Sequence, residues 1–177
     1  GWRARGRAEP FHEFQFENTG IISELTASTY VGLPPNDRVV LAFRASAGSL
    51  AGAPLDEIPA NRLFFAGGGG SIRGYDYRSV GPRLPDGRVT GGRSYFTGSA
   101  EARVSVTDTI GVVPFVDFGN AFRDSFPDFS EELRVGAGIG LRYDTGLGPL
   151  RFDVATPVDR REGDPTIAFY LGLGQAF

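Results

Sequence analysis

The chain has 177 residues, a formal net charge of −3, no cysteine, no methionine and a single histidine. These counts exclude disulfides, thiolate metal sites and cysteine nucleophiles, and the slight acidity gives no case for a nucleic-acid partner. No apolar run approaches the roughly 20 residues that a transmembrane helix needs.

Glycine is abundant, at 26 residues, and period-two alternation replaces helical periodicity, which predicts an all-β protein. Gly1 opens the chain and no signal peptide is visible, so the sequence reads as processed or as an excerpt. Eight strands are predicted. The first, about 2–12, sets Trp2, Ala4, Gly6 and Ala8 against Arg3, Arg5, Arg7 and Glu9. Three arginines on one strand face suit a wet interior or solvent rather than a dry core. The second strand, about 20–32, alternates less cleanly, and the third covers about 38–50.

A fourth strand, about 93–107, places Ser99, Glu101 and Arg103 on one face. The fifth, about 110–122, places Phe115, Asp117 and Gly119 on one face, with Pro114 predicting a bulge. The sixth spans about 132–144, with Gly136, Gly138 and Gly140 in a single row, and the seventh about 149–158. The eighth carries the run Ile167, Phe169, Leu171, Leu173, Gln175 and Phe177, a strand of membrane length with an aromatic terminus. Most of these strands reach the roughly 9–11 residues that cross a bilayer. The predicted fold is an antiparallel transmembrane β-barrel.

Connections at 33–37, 107–109 and 144–148 are short, whereas 51–92, 123–131 and 158–165 are longer. Outer-membrane barrels sort short turns to the periplasm and long loops to the outside, which puts Phe177 at the periplasmic end. The 51–92 connection is far longer than the roughly 12–15 residues at which loops become unusual. It carries Leu63, Phe64, Phe65, Ile72, Tyr75 and Tyr77, too many large groups for a solvated coil. An eight-stranded barrel is only wide enough inside for side chains. Either the loop packs outside, or the barrel has more strands than this chain supplies; the second is the reading adopted. The glycine rows, with Gly172 and Gly174 in the eighth strand, either add curvature or make room for the loop.

The loop reads Phe64-Phe65-Ala66-Gly67-Gly68-Gly69-Gly70-Ser71-Ile72-Arg73-Gly74-Tyr75-Asp76-Tyr77. A nucleotide-binding reading fails, because the phosphate loop needs a lysine and the chain has none. The sequence resembles the outer-membrane assembly and translocation barrels, which include BamA, TamA and the two-partner secretion transporters. An Arg-Gly-Tyr motif in their sixth extracellular loop is matched by Arg73, Gly74 and Tyr75. Their Phe-x-Asp-x-Gly strand motif is matched by Phe115, Asp117 and Gly119, and the stretch 148–153 and Phe177 also fit. The wording of the loop, together with Thr90-Gly91-Gly92-Arg93, looks most like TamA.

The resemblance implies the eight C-terminal strands of a sixteen-stranded barrel, with the N-terminal strands and periplasmic POTRA domains absent and the long loop folded into the lumen. It implies that Arg73 clamps the loop to the wall through Asp117, with Glu101 a second acidic candidate and Ser71, Ile72, Gly74 and Tyr75 completing the loop motif. Gly172 and Gly174 fall in the strand that would form a lateral seam, and Phe177 resembles a C-terminal insertion signal. The implied function is protein insertion or translocation in the bacterial outer membrane, without cofactor, metal or catalytic residue. Implied partners are outer-membrane lipid, client outer-membrane proteins or autotransporters, and a periplasm-spanning TamB-like protein.

Three other readings stand beside this one: the barrel of a patatin-like outer-membrane lipase, a complete small porin-like barrel, and a soluble β-sandwich. His12 lacks a nearby nucleophile motif, and Ser71 lacks the Gly-x-Ser-x-Gly elbow.

Overall fold

A computed structural model describes residues 1–35, 37–146 and 148–177. Asn36 and Leu147, which fall within the expected turns 33–37 and 144–148, lie outside the described residues. Eight strands follow one another: β1 Trp2–Glu13, β2 Asn18–Leu33, β3 Val39–Ala51, β4 Ser94–Ser105, β5 Ile110–Phe122, β6 Arg134–Thr145, β7 Gly148–Pro157 and β8 Ala168–Leu173. Each pairs antiparallel with the next in chain order, giving one eight-stranded sheet. The loop between β3 and β4 holds a single 3₁₀ turn, Leu55–Glu57.

The alternation seen in the sequence decides which face is covered. Along β6, Ile139, Leu141 and Tyr143 are 54%, 49% and 51% exposed, whereas Arg134 and Arg142 are buried. β7 and β8 repeat the pattern: Phe152, Phe169 and Leu171 face out, and Asp153 is fully buried. Apolar outside and polar inside is the reverse of an ordinary soluble domain, where charged residues are almost never fully buried unless paired. The inner face keeps a polar lining because its charges are paired there, with one another, as in Arg142–Asp153 and Arg103–Glu101, and with Arg73 of the 52–93 loop that lies across it. An apolar cluster of Ile22, Leu50, Ala53 and Ile58, joined by Phe11, Leu63 and Phe64, packs the base of that loop onto β1–β3.

The expected transmembrane β-barrel is corrected by this topology. β1 and β8 pair with β2 and β7 alone, and the sheet is not closed. A small porin-like barrel falls on the same observation. The larger barrel is not formed because, among the described residues, neither edge strand has a second neighbour to pair with; for the small barrel the physical reason is volume. Eight closed strands leave room inside for side chains only, and here the inner face is occupied by a folded loop. Among the described residues no helix is long and apolar enough to cross a membrane.

Two strand details also differ from expectation. β8 ends at Leu173: the Gly174 N–H still reaches the in-register Pro149 carbonyl at 2.8 Å, but proline has no N–H to return the bond and Gly174 takes a φ of 90°. The following residues fold back over the inner face, and the Phe177 ring lies 5.1 Å from the Arg44 guanidinium and 5.0 Å from that of Arg103. Pro114 makes no bulge. The β4–β5 register is the same at Glu101↔Phe115 and at Val104↔Val112, and the ladder simply skips the pairs between them.

Candidate functional site

The 52–93 loop is a folded unit. Short antiparallel bridges join Phe64 to Gly92, Ala66 to Val80 and Arg83 to Val89. Ala66, Ile72, Tyr75 and Val80 form a buried apolar cluster within it. Burying a side chain such as Ile72 contributes roughly 1.5–3 kcal/mol. Ser71 closes the glycine turn, its hydroxyl accepting the Gly67 N–H at 2.9 Å.

Arg73, 2% exposed, reaches from this unit to the sheet. Its backbone N–H donates to Asp117 Oδ2 at 3.0 Å. The side chain then grips the same carboxylate as a fork, with Nε at 2.7 Å from Oδ2 and Nη2 at 3.0 Å from Oδ1. Planar, bidentate geometry of this kind is what arginine offers and lysine does not. Nη1 donates to Asp153 Oδ2 at 3.1 Å. Nη2 also lies 2.9 Å from Glu101 Oε1, an ion-pair contact without hydrogen-bond alignment. The guanidinium stands 3.4 Å over the Phe115 ring. One loop residue thereby engages β4, β5 and β7 together.

Sheet register explains why this pocket exists. Ser99, Asp117 and Gly136 lie directly opposite one another across β4, β5 and β6. A side chain at position 136 could not coexist with the loop, since a Cβ there would lie 1.8 Å from the Arg73 carbonyl oxygen. Gly74 takes a φ of 103° and packs against β7, where a Cβ would meet the Thr156 carbonyl carbon at 2.8 Å. Both conditions favour glycine over any other residue.

Further arginines balance the acids. Arg103 Nε pairs with Glu101 Oε2 at 2.9 Å, and Asp153 receives Arg142 Nη1 at 2.5 Å and Arg151 Nε at 3.5 Å. Burial draws the Arg73 guanidinium down, but the hydrogen bond and charge of Asp117, with the charges of Glu101 and Asp153, outweigh it and raise its pKa above the usual arginine value. Tyr75 is buried beside Arg73, and its hydroxyl donates to the Val135 carbonyl at 3.1 Å. Burial pushes its phenol up.

The structure brings Arg73, Asp117, Glu101, Ser71, Ile72, Gly74 and Tyr75 into one assembly. Gly172, Gly174 and Phe177 lie apart from it. Gly172 is opposite Arg151 on β8, and Gly174 and Phe177 follow the end of that strand. His12 is an exposed partner of Thr19 across the β1–β2 turn.

Sequence reasoning did not single out Asp153 or Tyr170. Asp153 sits in the inward row of β7 beside Arg151, a period-two signal that was available. Tyr170 accepts the Gly74 N–H at 3.0 Å and donates to the Tyr75 carbonyl at 3.0 Å. Its signal was one large polar group in an inward row otherwise made of Ala168 and Gly172.

The Omp85 superfamily domain matches residues 1–177. The outer membrane protein assembly factor BamA of Nitratidesulfovibrio vulgaris is 33% identical over 155 residues, covering 84% of this chain and 19% of the relative. The chloroplastic outer envelope protein 80 of Arabidopsis thaliana is 31% identical over 140 residues, covering 75% and 17%. The crystal structure of BamA from Haemophilus ducreyi lacking POTRA domains 1–3 superposes with a TM-score of 0.71 at 25% identity, over 86% of this chain and 35% of that one. The chain spans about a fifth of the length of the curated relatives it matches. The chain is a protein of the outer membrane, and it belongs to the Omp85 superfamily.

Proposed function

We propose that this chain is part of a factor that inserts or translocates client outer-membrane proteins or autotransporters, and that it does so without covalent chemistry. The observation that carries the reading is the seating of the Arg73 motif: a folded loop held onto the inner face of the sheet by one arginine that reaches carboxylates on three strands. Arg73, Asp117 and Glu101 are the clamp, and Ser71, Ile72, Gly74 and Tyr75 shape the segment that is clamped. A seated loop covers the polar inner face; a released loop would expose buried carboxylates and arginines to whatever approaches the sheet.

In this reading β8, an edge paired on one side only, is where a client strand would exchange pairing. Gly172 within it and Gly174 beyond it contribute no side chains to hold a neighbour in place. Phe177 serves as a signal in the unfolded chain, since in the folded protein its ring is engaged with Arg44, Arg103 and Tyr30. The partners are outer-membrane lipid against the exposed apolar face, client polypeptide, and a periplasm-spanning TamB-like protein. The TamA-like form of this proposal rests on the wording of the 64–77 and 90–93 segments.

The test is client assembly by the full-length protein reconstituted in lipid vesicles. Arg73→Ala is expected to impair it while the sheet stays folded. Undiminished assembly with a demonstrably released loop would refute the reading.

A further inference from the structure

Tyr170 is the large side chain on the inner face of β8, two residues from Ala168 on one side and Gly172 on the other. Its hydroxyl meets the loop where the backbone turns through Gly74. That turn leaves one N–H and one carbonyl without a strand ladder, and buried backbone groups of this kind require partners. Tyr170 serves both, accepting from Gly74 and donating to Tyr75 at 3.0 Å each. The ring itself is wedged against the glycine turn, since a Cβ on Gly69 would lie 2.9 Å from Tyr170 Cδ1. Directly opposite Tyr170 in the β7–β8 register is Asp153, which receives Arg73.

The ion pairs of Arg73 reach β4, β5 and β7 and go no further. Among the described residues, both hydrogen bonds between β8 and the loop are made by Tyr170. β8 is also the shortest strand, six residues long, with a neighbour on one side only. A strand with so little ladder depends on whatever else holds it.

We propose that Tyr170 is a positioning residue that ties the loop motif to the edge strand β8. The motif then cannot leave the inner face without releasing β8, and β8 cannot swing away without pulling on Gly74 and Tyr75. Coupling of this kind is reciprocal: loosening either partner loosens the other. The proposal rests on the functional reading above, in which the seated loop and the β8 edge both act in assembly.

Tyr170→Phe tests it, because the ring and its packing stay and the hydroxyl goes. In the full-length protein, trypsin cleavage after Arg73 requires the motif to leave its pocket, and exchange of the Gly74 amide reports the lost hydrogen bond. Both rates are expected to rise about tenfold or more, the effect of two buried hydrogen bonds, with heat unfolding of the sheet little changed. Amides of β8 are expected to exchange faster in Arg73→Ala as well. Rates within about twofold of the parent protein in Tyr170→Phe would overturn the tether. Should that variant fail to fold, Gly69→Ala displaces the same ring: faster cleavage supports the tether and unchanged cleavage overturns it. Free loops with normal client assembly would refute the functional reading and leave the tether standing. Lost assembly in Arg73→Ala beside a silent Tyr170→Phe would do the opposite.

Discussion

Arg73 holds Asp117 through three hydrogen bonds of 2.7–3.0 Å, one from its backbone and two from its guanidinium. The backbone bond fixes where the loop enters and the fork fixes how the side chain is aimed. The pair lies 44 residues apart in sequence, so it pins a long connection to the middle of the sheet. Gly136 opposite Asp117 leaves room for the Arg73 backbone, and Ser99 on the other side donates to Asp117 Oδ1.

Removing one partner of a buried pair costs about 3–5 kcal/mol, since the other charge is left uncompensated. Arg73→Ala is therefore expected to weaken seating of the loop by that order, and Arg73→Lys to recover only part of it, because the fork is lost. Protease sensitivity at Arg78 and Arg88, both exposed in the loop, measures the release. Equal protection in all three proteins would show that apolar packing of Ile72 and Tyr75 seats the loop alone.

Gly136→Ala and Gly70→Ala form a contrasting pair. A Cβ at Gly136 would sit 1.8 Å from the Arg73 carbonyl, whereas one at Gly70 meets nothing within 4 Å. Gly136→Ala should release the loop even though alanine suits a strand better than glycine does. Gly70→Ala should leave loop protection as it was. The check is limited proteolysis beside thermal unfolding of both variants.

Asp153 is shared by Arg73, Arg142 and Arg151. Asp153→Asn leaves three cations with less compensation, and its cost should fall when Arg142→Gln is added. A double-mutant cycle on thermal stability should show coupling of about 0.5–3 kcal/mol. Additive losses would mean that Asp153 serves Arg73 independently of Arg142.

The charge on Arg73 sets a pH expectation. Its pKa in the folded protein is raised above the ordinary arginine value. A raised pKa means that the contribution is fully present below the unfolded value and is lost only as pH rises through the still higher folded one. Alkaline titration to about pH 10 lies below both, so protection of the Gly74 amide, corrected for its intrinsic exchange rate, should not change. A fall in protection over that range would point to another titrating group as the anchor.

Much of the strand pattern was legible in the sequence. Alternation placed β5 at residues 110–122 and β3 within one residue of its observed bounds. It also separated the inward arginines and carboxylates from the outward aromatics. β8 was read too long, because alternation continues through Gln175 while the turn at Gly174 is a backbone event that apolar periodicity does not register. Closure was misread for a related reason. The strands were read as half of a sixteen-stranded barrel, whereas they form an open eight-stranded sheet; closure depends on pairing between distant segments, and no local pattern encodes it. Arg73, Asp117 and Glu101 were named from motif and strand face, but the convergence of Asp153 and Tyr170 on the same loop follows from sheet register, which places them opposite each other on β7 and β8.

The central claim is that Arg73 and Asp117 act as one unit in holding the loop. A double-mutant cycle of Arg73→Ala and Asp117→Ala measures it, with the opening free energy of the Gly74 amide in the full-length protein read by hydrogen exchange. The account predicts strong coupling, the double variant losing about 2 kcal/mol or more less than the sum of the single losses. Losses that add to within about 0.5 kcal/mol would contradict it.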